Sequence, residues 1–243
     1  MVSARFTLIA AFACAAWAAD SPATAPKPNL RPEQRADIYM ARKMYREAID
    51  EYREAPDSAI IANKLGIAYH QLQDMGAARR NYVRALKMQP DYAEAINNLG
   101  TTYYAAKDYR RAIKQYRKAL RYSPQAASIY SNLGTAYFAR RNYKKAAEAY
   151  QTALGIDSEV FEHRNSYGVL LQDLNVGERA KFHYYLARSY AKAGMTERAL
   201  QYIRKALEEG FGERKKFLEE PEFTTLRVNP EFQMLMAYEP RKL

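Results

Sequence analysis

With one cysteine, one tryptophan, ten glycines and ten prolines in 243 residues, this chain is poor in the residues on which several protein classes depend. Its lone Cys14 cannot close an internal disulfide, which excludes a fold stapled by cystines. The low glycine and proline content, and the lack of alternating β-branched runs, favours helices over strands. The histidines, His70, His163 and His183, are scattered without metal-ligand spacing. The sequence has no Gly-rich phosphate loop, no nucleophile elbow and no His-Glu-x-x-His. No cofactor is expected from such an inventory, and no catalysis by this chain alone.

What is present is alanine, tyrosine, lysine and arginine, with a net charge of +11. That charge suits an acidic partner or an anionic surface and says nothing about fold. Met1 to Arg5 carries one positive charge, and the apolar stretch from Phe6 to Trp17 is shorter than the roughly 20 residues a membrane-spanning helix needs. Ala16-Trp17-Ala18 then offers a small-x-small cleavage site, so residues 1–18 read as a secretory signal peptide and the protein as periplasmic or secreted. A second processing stays open. Ala11-Phe12-Ala13-Cys14 loosely matches a lipoprotein signal, in which Cys14 becomes the acylated first residue, although Ala11 stands where leucine is usual. Residues 19–29, rich in proline and without apolar periodicity, form a linker.

Three consecutive 34-residue windows, Ala59–Tyr92, Ala93–Ala126 and Ala127–Val160, align without a gap. Their seventh and eighth positions are Leu65-Gly66, Leu99-Gly100 and Leu133-Gly134; the eleventh gives Tyr69, Tyr103 and Tyr137. Position twenty gives Ala78, Ala112 and Ala146, position twenty-four Tyr82, Tyr116 and Tyr150, and position twenty-seven Ala85, Ala119 and Ala153. Pro90 and Pro124 close the first two windows; Ser158 replaces proline in the third. Small residues at three positions let helices approach closely, the tyrosines and leucines fill the space between them, and the prolines stop the second helix.

These residues resemble the tetratricopeptide repeat. The resemblance implies an all-α fold, a right-handed superhelical solenoid of helix-turn-helix units that must stack to bury their apolar faces. About five repeats are expected within residues 30–213, beginning with a degenerate one at 30–58, with helices near Gln34–Arg42 and Arg46–Ala55. Downstream, Leu186-Ala187, Tyr190, Ala199, Ile203 and Ala206 recover the pattern over 180–213. Residues 161–179 do not fit and read as an irregular insert that breaks the superhelix. Residues 214–243 are expected to form a C-terminal helical cap; in the tail from Gly210 on, Phe211, Phe217, Phe223, Leu226, Phe232 and Leu235 would cover the apolar end of the stack.

In the family, the first helix of each repeat lines a concave groove, and the resemblance carries that role onto matching positions here. They are Asn63, Asn97, Asn98, Thr101, Tyr104, Asn132, Thr135 and Phe138, with Lys181, Tyr185 and Arg188 in the last repeat. Asn98 and Asn132, one repeat apart, offer an amide donor and acceptor at regular intervals and so suit the backbone of an extended peptide. The carboxylate clamp of some family members is not present. It needs Lys and Asn at positions five and nine of one repeat, where Asn63 and Ile67 stand, and Lys and Arg at positions two and six of another, where Ser128 and Asn132 stand. Lys181, Tyr185 and Arg188 give the last repeat a cationic, aromatic-edged face.

The expected function is therefore a non-enzymatic scaffold or adaptor of the bacterial envelope that binds an extended protein segment. An outer-membrane lipoprotein that assists assembly of a surface machine, as pilotins of this family do, is the rival reading. Nucleic acid is not an expected partner for an exported chain. Peripheral contact with anionic lipid rests only on the charge of the second helices, which a solvated surface explains as well.

Overall fold

A computed structural model describes residues 30–162 and 175–237. Residues 1–29, where a signal peptide, Cys14 and a linker are expected, most of the expected insert and residues 238–243 of the expected cap lie outside the described residues. The described residues form helices joined by short turns, with no strand among them. Eight helices make four successive pairs: α1 (Pro32–Ala41) with α2 (Tyr45–Glu54), α3 (Ala59–Gln71) with α4 (Met75–Met88), α5 (Ala93–Ala105) with α6 (Tyr109–Tyr122), and α7 (Ala127–Ala139) with α8 (Tyr143–Ile156). A fifth pair, α9 (Val176–Lys192) and α10 (Thr196–Glu208), packs against α8. Each second helix also packs on the next first helix, so the stack is continuous from α1 to α8.

The turn inside each pair is set by local chemistry. One residue adopts the left-handed conformation: Lys43, Gln73, Lys107, Arg141 and Gly194, with φ of 60°, 63°, 59°, 58° and 75°. Its N–H and the next one bond back to the preceding helix, as Lys107 N to Tyr104 O at 2.8 Å and Asp108 N to Tyr103 O at 2.9 Å. In the second, third and fourth pairs the side chain of the next residue then caps the second helix. The side chains of Asp74, Asp108 and Asn142 accept from the N–H groups of Ala77, Arg111 and Lys145.

Helix contact explains the small residues. A Cβ built on Gly66, Gly100 or Gly134 would lie 2.4, 2.6 and 2.4 Å from Cε1 of Tyr82, Tyr116 and Tyr150. These are glycines because the tyrosine ring occupies the space a methyl group needs. In the last pair the partner position is Ile203 and the close residue is Ala187, both fully buried. Proline is dispensable at the end of the second helix: α8 stops without one, and Asp157 accepts the Glu159 N–H at 2.9 Å to turn the chain.

Two boundaries differ from the sequence reading. Residues 176–179, assigned above to the insert, are the first turn of α9, which Asn175 and Glu178 close with a reciprocal capping box. The start of the insert is also packed, since Phe161 is buried beside Val160 and meets Tyr150 edge-on at 5.4 Å. The described C-terminal segment comprises α11 (Lys215–Glu219), a 3₁₀ turn (Pro221–Leu226) and α12 (Pro230–Ala237), packed on the last helix pair. Phe211, Phe217, Phe223, Leu226 and Phe232 are buried, with Leu235 packed against them.

Candidate peptide groove

The first helices of the central repeats carry an asparagine chain that runs from repeat to repeat. Asn132 Nδ2 donates to Asn97 Oδ1 at 2.9 Å, Asn97 Nδ2 to Asn98 Oδ1 at 3.3 Å, and Asn98 Nδ2 to Asn63 Oδ1 at 3.1 Å. Asn63 Nδ2 ends the chain on the Glu94 carboxylate at 3.0 Å. Both inter-repeat links join position six of one repeat to position five of the repeat before it. In the amino-terminal repeat the same seam is ionic, with Lys64 Nζ 2.7 Å from the Asp37 carboxylate. Asn97 and Asn98 each spend one N–H and one lone pair on neighbouring amides, Asn132 spends one N–H, and what remains on these three is left for a ligand.

A second series fixes the floor. Tyr116 and Tyr150 donate to Thr101 and Thr135 Oγ1 at 3.5 and 3.3 Å, and Tyr52 donates to Asp37. Burial holds the Tyr116 and Tyr150 hydroxyls well above the usual phenol range, so they stay protonated donors.

These residues divide among three clefts. Asn97, Asn98, Thr101, Tyr104 and Asn132 line one of about 680 Å³, together with His70 and Ser128. Tyr104, Phe138 and Lys181 line a second of about 260 Å³, with Lys107, Tyr109, Arg141, Tyr143 and Glu178. Tyr185 and Arg188 line a third of about 450 Å³, beside Tyr143, Lys192 and Glu222. Asn63 and Thr135, each 1% exposed, are buried behind the groove; their hydrogen bonds go to other parts of the chain. They hold the surface in place without presenting a group to a ligand.

The last repeat is less open than its sequence implies. Arg188 Nε lies 2.9 Å from Glu220, and its Nη2 lies 2.7 Å from Glu222, both on the C-terminal cap. Burial works against the Glu222 carboxylate, but the Arg188 hydrogen bond, its own backbone N–H and nearby cations outweigh that and lower its pKa. Tyr185 stacks on Tyr143 at 4.8 Å, and burial, followed by charge repulsion from the Tyr143 phenolic group, pushes its hydroxyl up to about 12. The cap thus takes the place a following repeat would occupy and neutralises Arg188.

Sequence reasoning passed over Lys107, Arg141, Tyr143, Glu178 and Glu94. Lys107 and Arg141 had a signal, each being the long polar residue directly before the Asp or Asn that caps the next helix. The described residues contain no group of His, Cys, Asp and Glu fit to hold a metal ion, and no helix long and apolar enough to cross a membrane.

Family models described as tetratricopeptide repeat match residues 57–125, 97–160 and 183–209. Comparison with curated proteins finds no match. Among solved structures, the chain is similar to Cut9 in the APC/C hetero-tetramer Cut9-Hcn1, with 17% identity and a TM-score of 0.54 over 84% of this chain and 35% of that one. It is also similar to MamA from Desulfovibrio magneticus RS-1, with 20% identity and a TM-score of 0.51 over 75% of this chain and 94% of that one. At such identities these likenesses speak for the fold alone.

Proposed function

Because the chain belongs to the tetratricopeptide-repeat family, we propose that it is a non-enzymatic protein-binding scaffold whose concave groove holds an extended segment of a partner. The observation that carries this reading is the asparagine chain beside the 680 Å³ cleft. Its amides are fixed by one another before any ligand arrives, so little side-chain freedom is lost on binding. The donors and acceptors left over match the N–H and C=O groups of an extended backbone and are indifferent to its side chains.

The test is the affinity for a partner segment, identified by cross-linking, of the Asn98→Ala, Asn132→Ala double variant. Loss of two hydrogen bonds at about 0.5–1.5 kcal/mol each predicts weakening of about tenfold. Unchanged affinity overturns the reading.

We further propose that this scaffold works in the cell envelope, on the strength of the leader in residues 1–18. The intact mass of the mature protein separates the two processings: a chain starting at Ala19 supports a soluble adaptor, and a diacylated Cys14 supports the lipoprotein reading. A chain that keeps residues 1–18 removes both.

A further inference from the structure

We propose that the 260 Å³ cleft is an acidic-peptide subsite, in which Lys107, Arg141 and Lys181 take the carboxylates of a partner segment. This rests on the groove reading and names the chemistry its occupant carries at one end.

The three cations come from three different repeats and converge on one cleft. None of them has a carboxylate partner among the described residues. That sets them apart from Lys64, Arg188 and Arg198, whose charges are met within the chain. Lys107 and Arg141 sit at the left-handed turn position, which Gly194 fills in the last repeat without steric cost. As with Lys43 and Gln73 in the first two pairs, a side chain there costs some conformational energy, and here it sets a cation on the rim of the cleft.

The walls favour a peptide over a phosphate polymer. Phe138 and Tyr143, edge to face at 5.4 Å, offer rings to an apolar side chain, and Glu178 on the same rim opposes a dianion more strongly than a single carboxylate. First helices of neighbouring repeats touch, so an extended segment crosses one repeat in about three residues at ordinary helix and strand spacings. The fitting segment therefore carries acidic residues three apart with apolar residues between them.

The probe is a fluorescein-labelled peptide with glutamate at every third position and leucine between, read by anisotropy against the peptide with glutamine in place of glutamate. The full chain is expected to bind the glutamate peptide at least about tenfold tighter, in line with more than one charge-assisted contact. Lys107→Gly with Arg141→Gly should abolish that preference while raising Tm, because glycine relieves the left-handed turns. Lys114→Gln, Arg117→Gln and Arg121→Gln together remove three charges from the exposed surface of α6 and should keep the preference.

Equal affinity for the two peptides, binding of neither, or equal loss in the α6 variant overturns the proposal. So does a site whose cations bind phosphatidylserine vesicles while the two peptides are not distinguished. If the glutamine peptide binds as tightly and needs Asn98, the groove reading stands and the acidic subsite falls.

Discussion

Replacing Gly134 with alanine would place a methyl carbon 2.4 Å from Cε1 and 2.5 Å from Cδ1 of Tyr150, and 3.2 Å from the Ala146 carbonyl oxygen. Ordinary contact begins near 3.4 Å, so the ring must retreat by about 1 Å. Tyr150 is fully buried, and its hydroxyl is tied to Thr135. Overpacking of this kind costs about 1–3 kcal/mol, and the better helix propensity of alanine returns up to about 1 kcal/mol. The expected net loss is about 1–2 kcal/mol, read as a Tm about 2–8 °C lower for a chain of this size. Gly155→Ala is the control. That glycine is exposed in α8 with nothing within 4 Å of a built Cβ, so the same change should stabilise by a few tenths to about 1 kcal/mol. Gly134→Ala combined with Tyr150→Ile copies the Ala187/Ile203 pair of the last repeat. The double variant should lose less than the sum of the singles, by about 1 kcal/mol or more in the cycle. Urea or thermal unfolding followed by circular dichroism gives all four values. A Gly134→Ala protein as stable as the parent, or strict additivity in the cycle, would refute the packing argument.

Further expectations follow from the seams between repeats and from the cap. Asn63→Ala removes the acceptor of Asn98 and a donor to Glu94 at a buried site, and should cost about 1–3 kcal/mol in urea unfolding. Phe217→Ala empties a fully buried position under the C-terminal turns and should cost about 3–5 kcal/mol, with faster proteolysis of residues 215–237. The cap should also loosen in acid. The folded pKa of Glu222 is depressed, so its contribution is complete above its ordinary value of 4.5 and is lost as pH falls below that through the folded value. Proteolysis of the cap is expected to rise over that acidic window, and Arg188→Gln should make it rise already at neutral pH. A cap equally resistant in both proteins at every pH would contradict the ion-pair account.

The repeat register was legible in the sequence because it is written in steric exclusions. Glycine at position eight and tyrosine at position twenty-four recur because the two touch, and both helices of the first, shortened pair were placed within about two residues. The start of α9 was not legible from the repeat pattern, since its extra turn precedes the register; the Asn175 and Glu178 pair that begins it is a purely local signal. The groove was partly legible. Asn97, Asn98 and Asn132 do share one cleft, but their bonds to one another depend on how neighbouring helices are offset, which no single helix reveals. For the same reason Asn63 and Thr135 read as ligand-facing and are buried. The partners of Arg188 lie more than thirty residues away on the cap, and pairing at that range has no signature in a local pattern.

The central claim, that the groove holds a partner protein, is tested most directly by site-specific photo-cross-linking. A benzoylphenylalanine placed at Ser128, exposed at the edge of the asparagine cleft, is compared with one at Arg117, exposed on α6. Adducts to a single partner segment from position 128, absent from position 117 and suppressed by Asn98→Ala with Asn132→Ala, are the result predicted. Equal adducts from both positions, or adducts that ignore the asparagine substitutions, would contradict it.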